Sequence, residues 1–285
     1  MEKKEKKIVV PVDFTEISDT AINHAIGIAK NWNWDVILVH IINKETRILL
    51  NLYKATIEAV TGKMEEKVKA VNRKYNFKVS YILRKGSIFE EISKICKEVK
   101  ASFVVMGTHG KHGMQHFAGS HAYKVITNSE IPFIVVQKRN YKGAYKKIVL
   151  PMDESIESRQ KIKWAIYIAK YFDSKLFINV KNITLVVQKY KLKIVQSKLE
   201  EILKSNGIEY EINAPQDKGS FEKQTIDYAK KIDADIIMIM TNPSTTKFSD
   251  FILPKSGEKV LFNTEGIPVM CVNPRDLEIK GYPSF

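Results

Sequence analysis

The 285-residue chain contains a near-copy of itself, and that repeat limits the possible fold more than any other feature of the sequence. Lys6 to Ala29, KKIVVPVDFTEISDTAINHAIGIA, returns at Lys146 to Ala169 as KKIVLPMDESIESRQKIKWAIYIA, so that Pro11 and Asp13 match Pro151 and Asp153. RKGSIFEEISKICKEVKASFVVMGTH, ending at His109, is echoed by DKGSFEKQTIDYAKKIDADIIMIMTN, ending at Asn242. Asn128, Ser129, Glu130 and IPFIVV correspond to Asn263, Thr264, Glu265 and IPVMCV. Three matches in one order mean a tandem duplication, and each copy has the length of an ordinary domain. Arg139 to Ala144, a polar stretch with Tyr141, Lys142 and Gly143, reads as a short linker. The expected domains are residues 1–139 and 145–275, with a C-terminal tail over 276–285.

Within the first copy, apolar runs alternate with helical periodicity. Ile8 to Val12, Val36 to Ile42, Phe77 to Leu83, Phe103 to Met106 and Phe133 to Val136 are continuous apolar runs. Such runs suit strands buried on both faces of a parallel sheet. Ser18 to Trp32 places Ile22, Ala25, Ile26 and Ala29 on one helical face, with Ser18 or Asp19 as the N-cap. Residues 47–74 read as one long helix and 87–100 as another. The alternation predicts an α/β fold: two tandem, doubly wound, open parallel five-stranded sheets with helices on both faces. Ligands of such sheets bind beyond the carboxyl ends of the strands, which directs attention to the residues after Val12, Val39 and Met106.

Composition serves mainly to exclude. Hydrophobic residues at 44% and charged residues at 27% are globular fractions, not those of a disordered chain. The net charge of +14 is spread along the sequence; it favours anionic ligands in general and does not specify DNA. There is no helix-turn-helix, finger or aromatic-interleaved basic patch, and lysine-rich helices such as Lys189 to Lys204 read as solvated faces. Cys96 and Cys271 lie far apart with no metal-binding spacing, so a disulfide framework is not expected and a reducing compartment is. The charged N-terminus lacks an apolar signal segment, and runs such as Ile236 to Met240 are too short to span a bilayer. The expectation is a cytoplasmic protein with no nucleic-acid or membrane partner.

The chemistry-bearing residues follow the fourth apolar run. Gly107-Thr-His-Gly110-Lys-His-Gly113 is followed by Gly119-Ser120, which opens a segment of helical character. Glycines allow the backbone close approach to a ligand, and a helix start offers free amide donors to an anion. This outlines a phosphate cradle, although neither a Walker A loop nor GxGxxG after the first strand occurs. The same glycines could instead shape a connection. Asp13, at the end of the first strand, could accept hydrogen bonds from ribose hydroxyls, or it could cap the following turn.

The pattern IVVPVDFTEISDTAINHAIGIA, VILVHII, VVMGTHGKHG…GS and IPFIVV resembles the universal stress protein family, and two copies cover nearly the whole chain. The resemblance implies a 3-2-1-4-5 strand order and, in one subclass, ATP, with or without Mg²⁺, held by Gly-x2-Gly-x9-Gly-Ser/Thr. It implies that Pro11, Val12 and Asp13 hold the nucleoside end and that Ile41 meets the adenine. Met106, Gly107, His109 and Gly110 would line the ribose and phosphate path, and Gly119, Ser120, His121 and Ala122 would receive the phosphates. Eight residues, Lys111 to Ala118, separate Gly110 from Gly119, where the family pattern has nine. In the second copy the glycine loop is replaced by Met240-Thr-Asn-Pro243, and the Gly-Ser pair by residues near Pro254 and Lys255, so this copy is expected to bind no ATP.

The resemblance thus implies a nucleotide-binding regulatory protein of the stress response, with the two copies pairing as an internal pseudo-dimer through their last strands. Further association into a homodimer is left open. Weak ATP hydrolysis, a purely structural role, and metal binding by His109, His112, His116 and His121 are the alternatives. An efficient ATPase would need carboxylates for Mg²⁺ near the terminal phosphate, and the loop has none.

Overall fold

The computed structural model describes residues 6–108, 126, 129, 131–153, 157–183, 185–215, 219–240, 260–261 and 263–272. The chain forms two compact units, the first from Met1–Val125 with Ile131–Tyr141, the second from Ile126–Glu130 with Lys142–Phe285. The first contains β1 (Lys7–Pro11), α1 (Glu16–Trp32), β2 (Asp35–Ile42), α2 (Lys44–Leu52), α3 (Ile57–Tyr75), β3 (Ser80–Lys85), α4 (Ile88–Glu98), β4 (Phe103–Gly107) and β5 (Phe133–Val136). Its strands are all parallel in the order 3-2-1-4-5. The second contains β6 (Lys147–Met152), α5 (Glu157–Phe172), β7 (Lys175–Val180), α6 (Val186–Ser205), β8 (Tyr210–Asn213), α7 (Phe221–Lys231), β9 (Ile236–Met240) and β10 (Val269–Val272). Its order, β8-β7-β6-β9-β10, repeats the first.

The duplication extends to backbone conformation. Asn33 (φ 52°) recurs as Asp173 (φ 51°), Lys100 (φ 54°) as Asp233 (φ 51°), and Gly86 (φ 149°) as Gly219 (φ 145°). The first two pairs follow helix ends in the left-handed region, which the short side chains of Asn33, Asp173 and Asp233 favour and which Lys100 adopts without that help. The central strands β1, β4, β6 and β9 are buried nearly throughout. On α1, Ile17, Ala21, Ile22, Ala25, Ile26, Ile28 and Ala29 are buried beside them, as helical periodicity requires.

Local hydrogen bonding moves several boundaries. Helix α1 starts at Glu16, not after Ser18 or Asp19, because Thr15 is the N-cap and its Oγ1 accepts from the Ser18 amide at 3.4 Å. Asp19 instead pairs with Lys67 at 2.7 Å. The stretch 47–74 is not one helix: Lys54 takes φ 50°, the Ala55 amide donates to the Leu50 carbonyl, and a new helix begins after Thr56. Strand β3 begins at Ser80 instead of Phe77, because the Phe77 and Val79 amides still donate to the main chain and side chain of Asn72.

The start of the expected linker is not a free connection either. Residues 139–141 dock on α1: His24 Nε2 donates to the Arg139 carbonyl at 2.8 Å, and the Tyr141 amide donates to Asn23 Oδ1 at 3.0 Å. The Tyr141 ring lies over Gly27, where a Cβ would come within 2.2 Å of it, so only glycine leaves room for the ring. Cys96 and Cys271 are both free and buried. Among the described residues, no helix is long and apolar enough to cross a membrane.

Candidate nucleoside site

The carboxyl ends of β1 and β2 border a cavity of about 260 Å³. Pro11, Val12 and Asp13 line it from the first strand and its exit, and Val39, His40 and Ile41 from the second. Leu50 and Tyr53 come from α2 and its end, Ala59, Val60 and Lys63 from α3, and Ile88 and Ile92 from α4. Apolar walls with a few polar groups among them are the usual composition of a small-molecule site. The volume lies just below the usual range of roughly 300–1,000 Å³ for such sites.

Asp13 organises the turn after β1. Its Oδ1 accepts from both the amide (3.0 Å) and the hydroxyl (2.6 Å) of Thr15. The turn so closed carries Phe14 at φ 64°, a conformation that costs a bulky residue of order 1–3 kcal/mol. The Phe14 ring packs 4.8 Å from the His40 ring, and the Lys63 ammonium stands 4.4 Å above the Phe14 centroid. His40 is buried, and its Nδ1 lies 2.7 Å from the Val12 carbonyl. A carbonyl only accepts, so this nitrogen carries the proton. Sequence reasoning missed His40 and Lys63; the alternation along β2 places His40 on the opposite face from Val39 and Ile41, but its partner 28 residues away is a tertiary fact.

The remaining candidates separate into two groups. Met106 is fully buried in β4 and is not among the residues lining the cavity. Gly107 ends that strand against the start of α1, where an added Cβ would stand 2.7 Å from both the carbonyl oxygen and Cγ2 of Ile17. Its glycine identity is therefore required by packing, and Gly107→Ala is expected to destabilise the first unit by about 1–3 kcal/mol in denaturant titration. His109, Gly110, Gly119, Ser120, His121 and Ala122 lie outside the described residues, as do His112 and His116. No cluster of metal-ligating side chains occurs among the described residues.

The equivalent place in the second unit is built differently. Strand register aligns Asn179 with Val39, Val180 with His40 and Met240 with Gly107. The repeat aligns Lys161 with Ala21. Lys161 is 1% exposed, and its ammonium donates to the Pro151 carbonyl. Burial pushes its pKa down to about 8, against the opposing attraction of the Asp153 carboxylate, which is itself buried. Asn179 donates to Thr225 Oγ1 at 3.1 Å and accepts from Asn213 at 2.7 Å. Side chains of the chain itself thus supply the polar partners at this strand end. The Met240 side chain, buried, stands where the first unit has no side chain at all.

Comparison with known proteins places this geometry among relatives. The family model described as the universal stress protein family matches residues 5–137. The chain is 31% identical over 141 residues to universal stress protein MJ0531 of Methanocaldococcus jannaschii, covering 47% of this chain and 82% of that protein. It is 28% identical over 141 residues to universal stress protein G of Shigella flexneri, covering 46% and 99%. In three dimensions, the crystal structure of a universal stress protein from Archaeoglobus fulgidus DSM 4304 superposes with a TM-score of 0.73 at 17% identity, covering 95% of this chain and 99% of that one. That likeness extends over both units as a likeness of fold.

Proposed function

The chain belongs to the universal stress protein family, and from that premise we propose that its first unit binds an adenine nucleotide, ATP foremost, as the regulatory ligand of a cytoplasmic stress-response protein. The observation that carries the reading is the cavity at the ends of β1 and β2, lined by Asp13 and by mainly apolar side chains from α2, α3 and α4. In this reading the base lies between Val12, Ile41 and the α3 wall, and the ribose hydroxyls bond to Asp13. Thr15 occupies Oδ1, so the ribose falls to the second carboxylate oxygen. The phosphates, with any Mg²⁺ they carry, are assigned to Gly107 and the glycine-rich segment after it. Nucleotide occupancy would change the surface offered to partners.

Binding is favoured over turnover, because Asp13 is the only acid among the residues lining the cavity and it stands at the sugar end. The second unit is assigned no nucleotide, since its sequence lacks the glycine-rich segment and Asn179, which stands where the first unit has the cavity-lining Val39, is bonded to Thr225 and Asn213. Pairing of the units through the IPFIVV and IPVMCV strands belongs to the same proposal. It rests on the apolar character of those strands, whose edges a duplicated chain can cover internally.

Isothermal titration with ATP, ADP, AMP and GTP tests the reading. One adenine nucleotide per chain is expected, with GTP weaker. Asp13→Ala should lose roughly 10- to 100-fold in affinity, the worth of a hydrogen bond to a charged group. Asp13→Asn keeps an oxygen for Thr15 and separates loss of the turn from loss of the ligand contact. Asp153→Ala should leave affinity unchanged. Absence of heat with every nucleotide, or two sites per chain, would contradict the assignment.

A further inference from the structure

Helix α6 of the second unit has two apolar stripes where a surface helix needs one. Leu192, Val195, Leu199 and Leu203 are buried and hold it to the unit. On the outside, Leu185 (62% exposed), Val186 (82%), Val187 (68%), Tyr190 (67%) and Ile194 (40%) face solvent. Residues 186, 190 and 194 follow one another at helical i, i+4 spacing, so they form a continuous strip. Lys189, Lys191, Lys193 and Lys198 are exposed on the same helix, and the sequence holds no Asp or Glu from Lys181 through Leu199. Reading this helix as a solvated lysine face accounts for the lysines but not for the apolar residues between them.

The duplication supplies an internal comparison. Helix α3 occupies the same place in the first unit, between the second and third strands. Its exposed positions include Glu58, Glu65, Glu66, Lys69, Arg73 and Lys74, of mixed sign, and it exposes no large hydrophobic side chain. The exposed apolar side chains of that connection, Ile48, Leu52 and Tyr53, lie on α2 and its end, a helix without a counterpart among the described residues of the second unit, so the long helix itself does not demand an apolar outer strip.

We propose that the N-terminal half of α6 is a docking surface for an anionic lipid membrane. Charge complementarity selects this occupant. A second copy meeting the strip symmetrically would bring the same lysines against each other. A nucleic acid would satisfy the lysines and leave the aliphatic side chains unused, because its contacts are mainly to phosphate. A headgroup layer uses both: aliphatic and tyrosine side chains enter the acyl boundary while lysine ammonium groups remain with the anionic headgroups. The helix would lie along the surface. This is a peripheral contact, distinct from the bilayer span that no described helix can form.

Cosedimentation of the full chain with phosphatidylcholine vesicles, with and without phosphatidylserine, tests the proposal. The chain is expected to pellet with the anionic vesicles only, and to be released by salt. Neutralising a lysine, as in Lys191→Gln or Lys193→Gln, should cost roughly fivefold in partitioning. The double variant Val187→Asp with Tyr190→Asp should abolish binding with unchanged thermal unfolding, since both side chains are exposed. Lys69→Gln, on α3, should change nothing. Failure to pellet with phosphatidylserine vesicles at low salt would overturn the assignment, as would binding indifferent to the Val187 and Tyr190 substitutions. A dimer in sedimentation velocity that the same double variant disperses would reassign the strip to a second copy.

Discussion

Lys161→Met is expected to destabilise the second unit by about 3–5 kcal/mol, because it leaves the buried Asp153 carboxylate without its compensating ammonium. Lys161 is enclosed beneath the end of β6, and the carbonyl it meets, Pro151, belongs to the same strand that Asp153 follows. Combining Lys161→Met with Asp153→Asn removes both charges and should recover most of the loss, since an apolar replacement of a buried pair is often neutral or better. Hydrogen exchange of the β6 and β7 amides would report the change locally. A second readout concerns pH. The Lys161 pKa is pushed down to about 8, below the ordinary 10.5, so between these values the unfolded chain holds a proton that the folded one has released. Stability of the unit should therefore rise with pH across that interval, by about 3 kcal/mol in total, and the rise should vanish in the double variant. A single Lys161→Met chain as stable as the parent would remove the argument that this ammonium compensates the buried Asp153 carboxylate.

Acid should loosen the first unit through His24. Burial pushes its pKa from 6.5 down to about 4, with the Arg139 charge adding to the cost of protonation and the Arg139 carbonyl opposing it. Between those values the unfolded chain binds a proton that the folded one refuses. The stabilisation is thus present in full above pH 6.5 and is lost as pH falls through 4, again by about 3 kcal/mol. The Nε2 donor persists in the imidazolium, so the cost lies in enclosing charge beside Arg139 and the Tyr141 ring, which meets His24 edge-on at 5.4 Å. Denaturant titrations at pH 7 and pH 4.5, followed by the fluorescence of Trp32 and Trp34, should show the loss in the parent chain. His24→Gln, whose amide can still donate to Arg139, should show little of it. An equal acid loss in both chains would assign the effect to other groups.

Residues 139–144 illustrate how far local sequence carries an argument. Their polar, glycine-containing composition suggests a connection, yet it could not indicate that Tyr141 covers Gly27 or that Arg139 meets His24, because those contacts join positions over 110 residues apart. Asp13 was open between a ribose ligand and a cap; its Oδ1 is engaged in the capping role, while a second oxygen remains for the proposed one. Gly107 drew notice as part of a phosphate loop, and its packing constraint in the fold is Ile17, backbone and side chain. The repeat itself was legible because it is a pattern along the chain, and so were the parallel strands, whose apolar runs reflect burial on both faces.

Duplication, element order and the doubly wound sheets follow from periodicities that any local window contains. The units become unequal through single substitutions at matched positions, Ala21 against Lys161, Gly107 against Met240 and Val39 against Asn179. The sequence displays these differences, but only the tertiary structure determines their effect. An ammonium can replace a methyl in a core when a carbonyl and a carboxylate converge on it from other elements, and a helical strip is a surface only if no neighbour covers it. Enclosure and convergence are properties of packed elements, and for that reason the open cavity beside Asp13, the filled strand end beside Asp153 and the bare face of α6 emerge only from the folded chain.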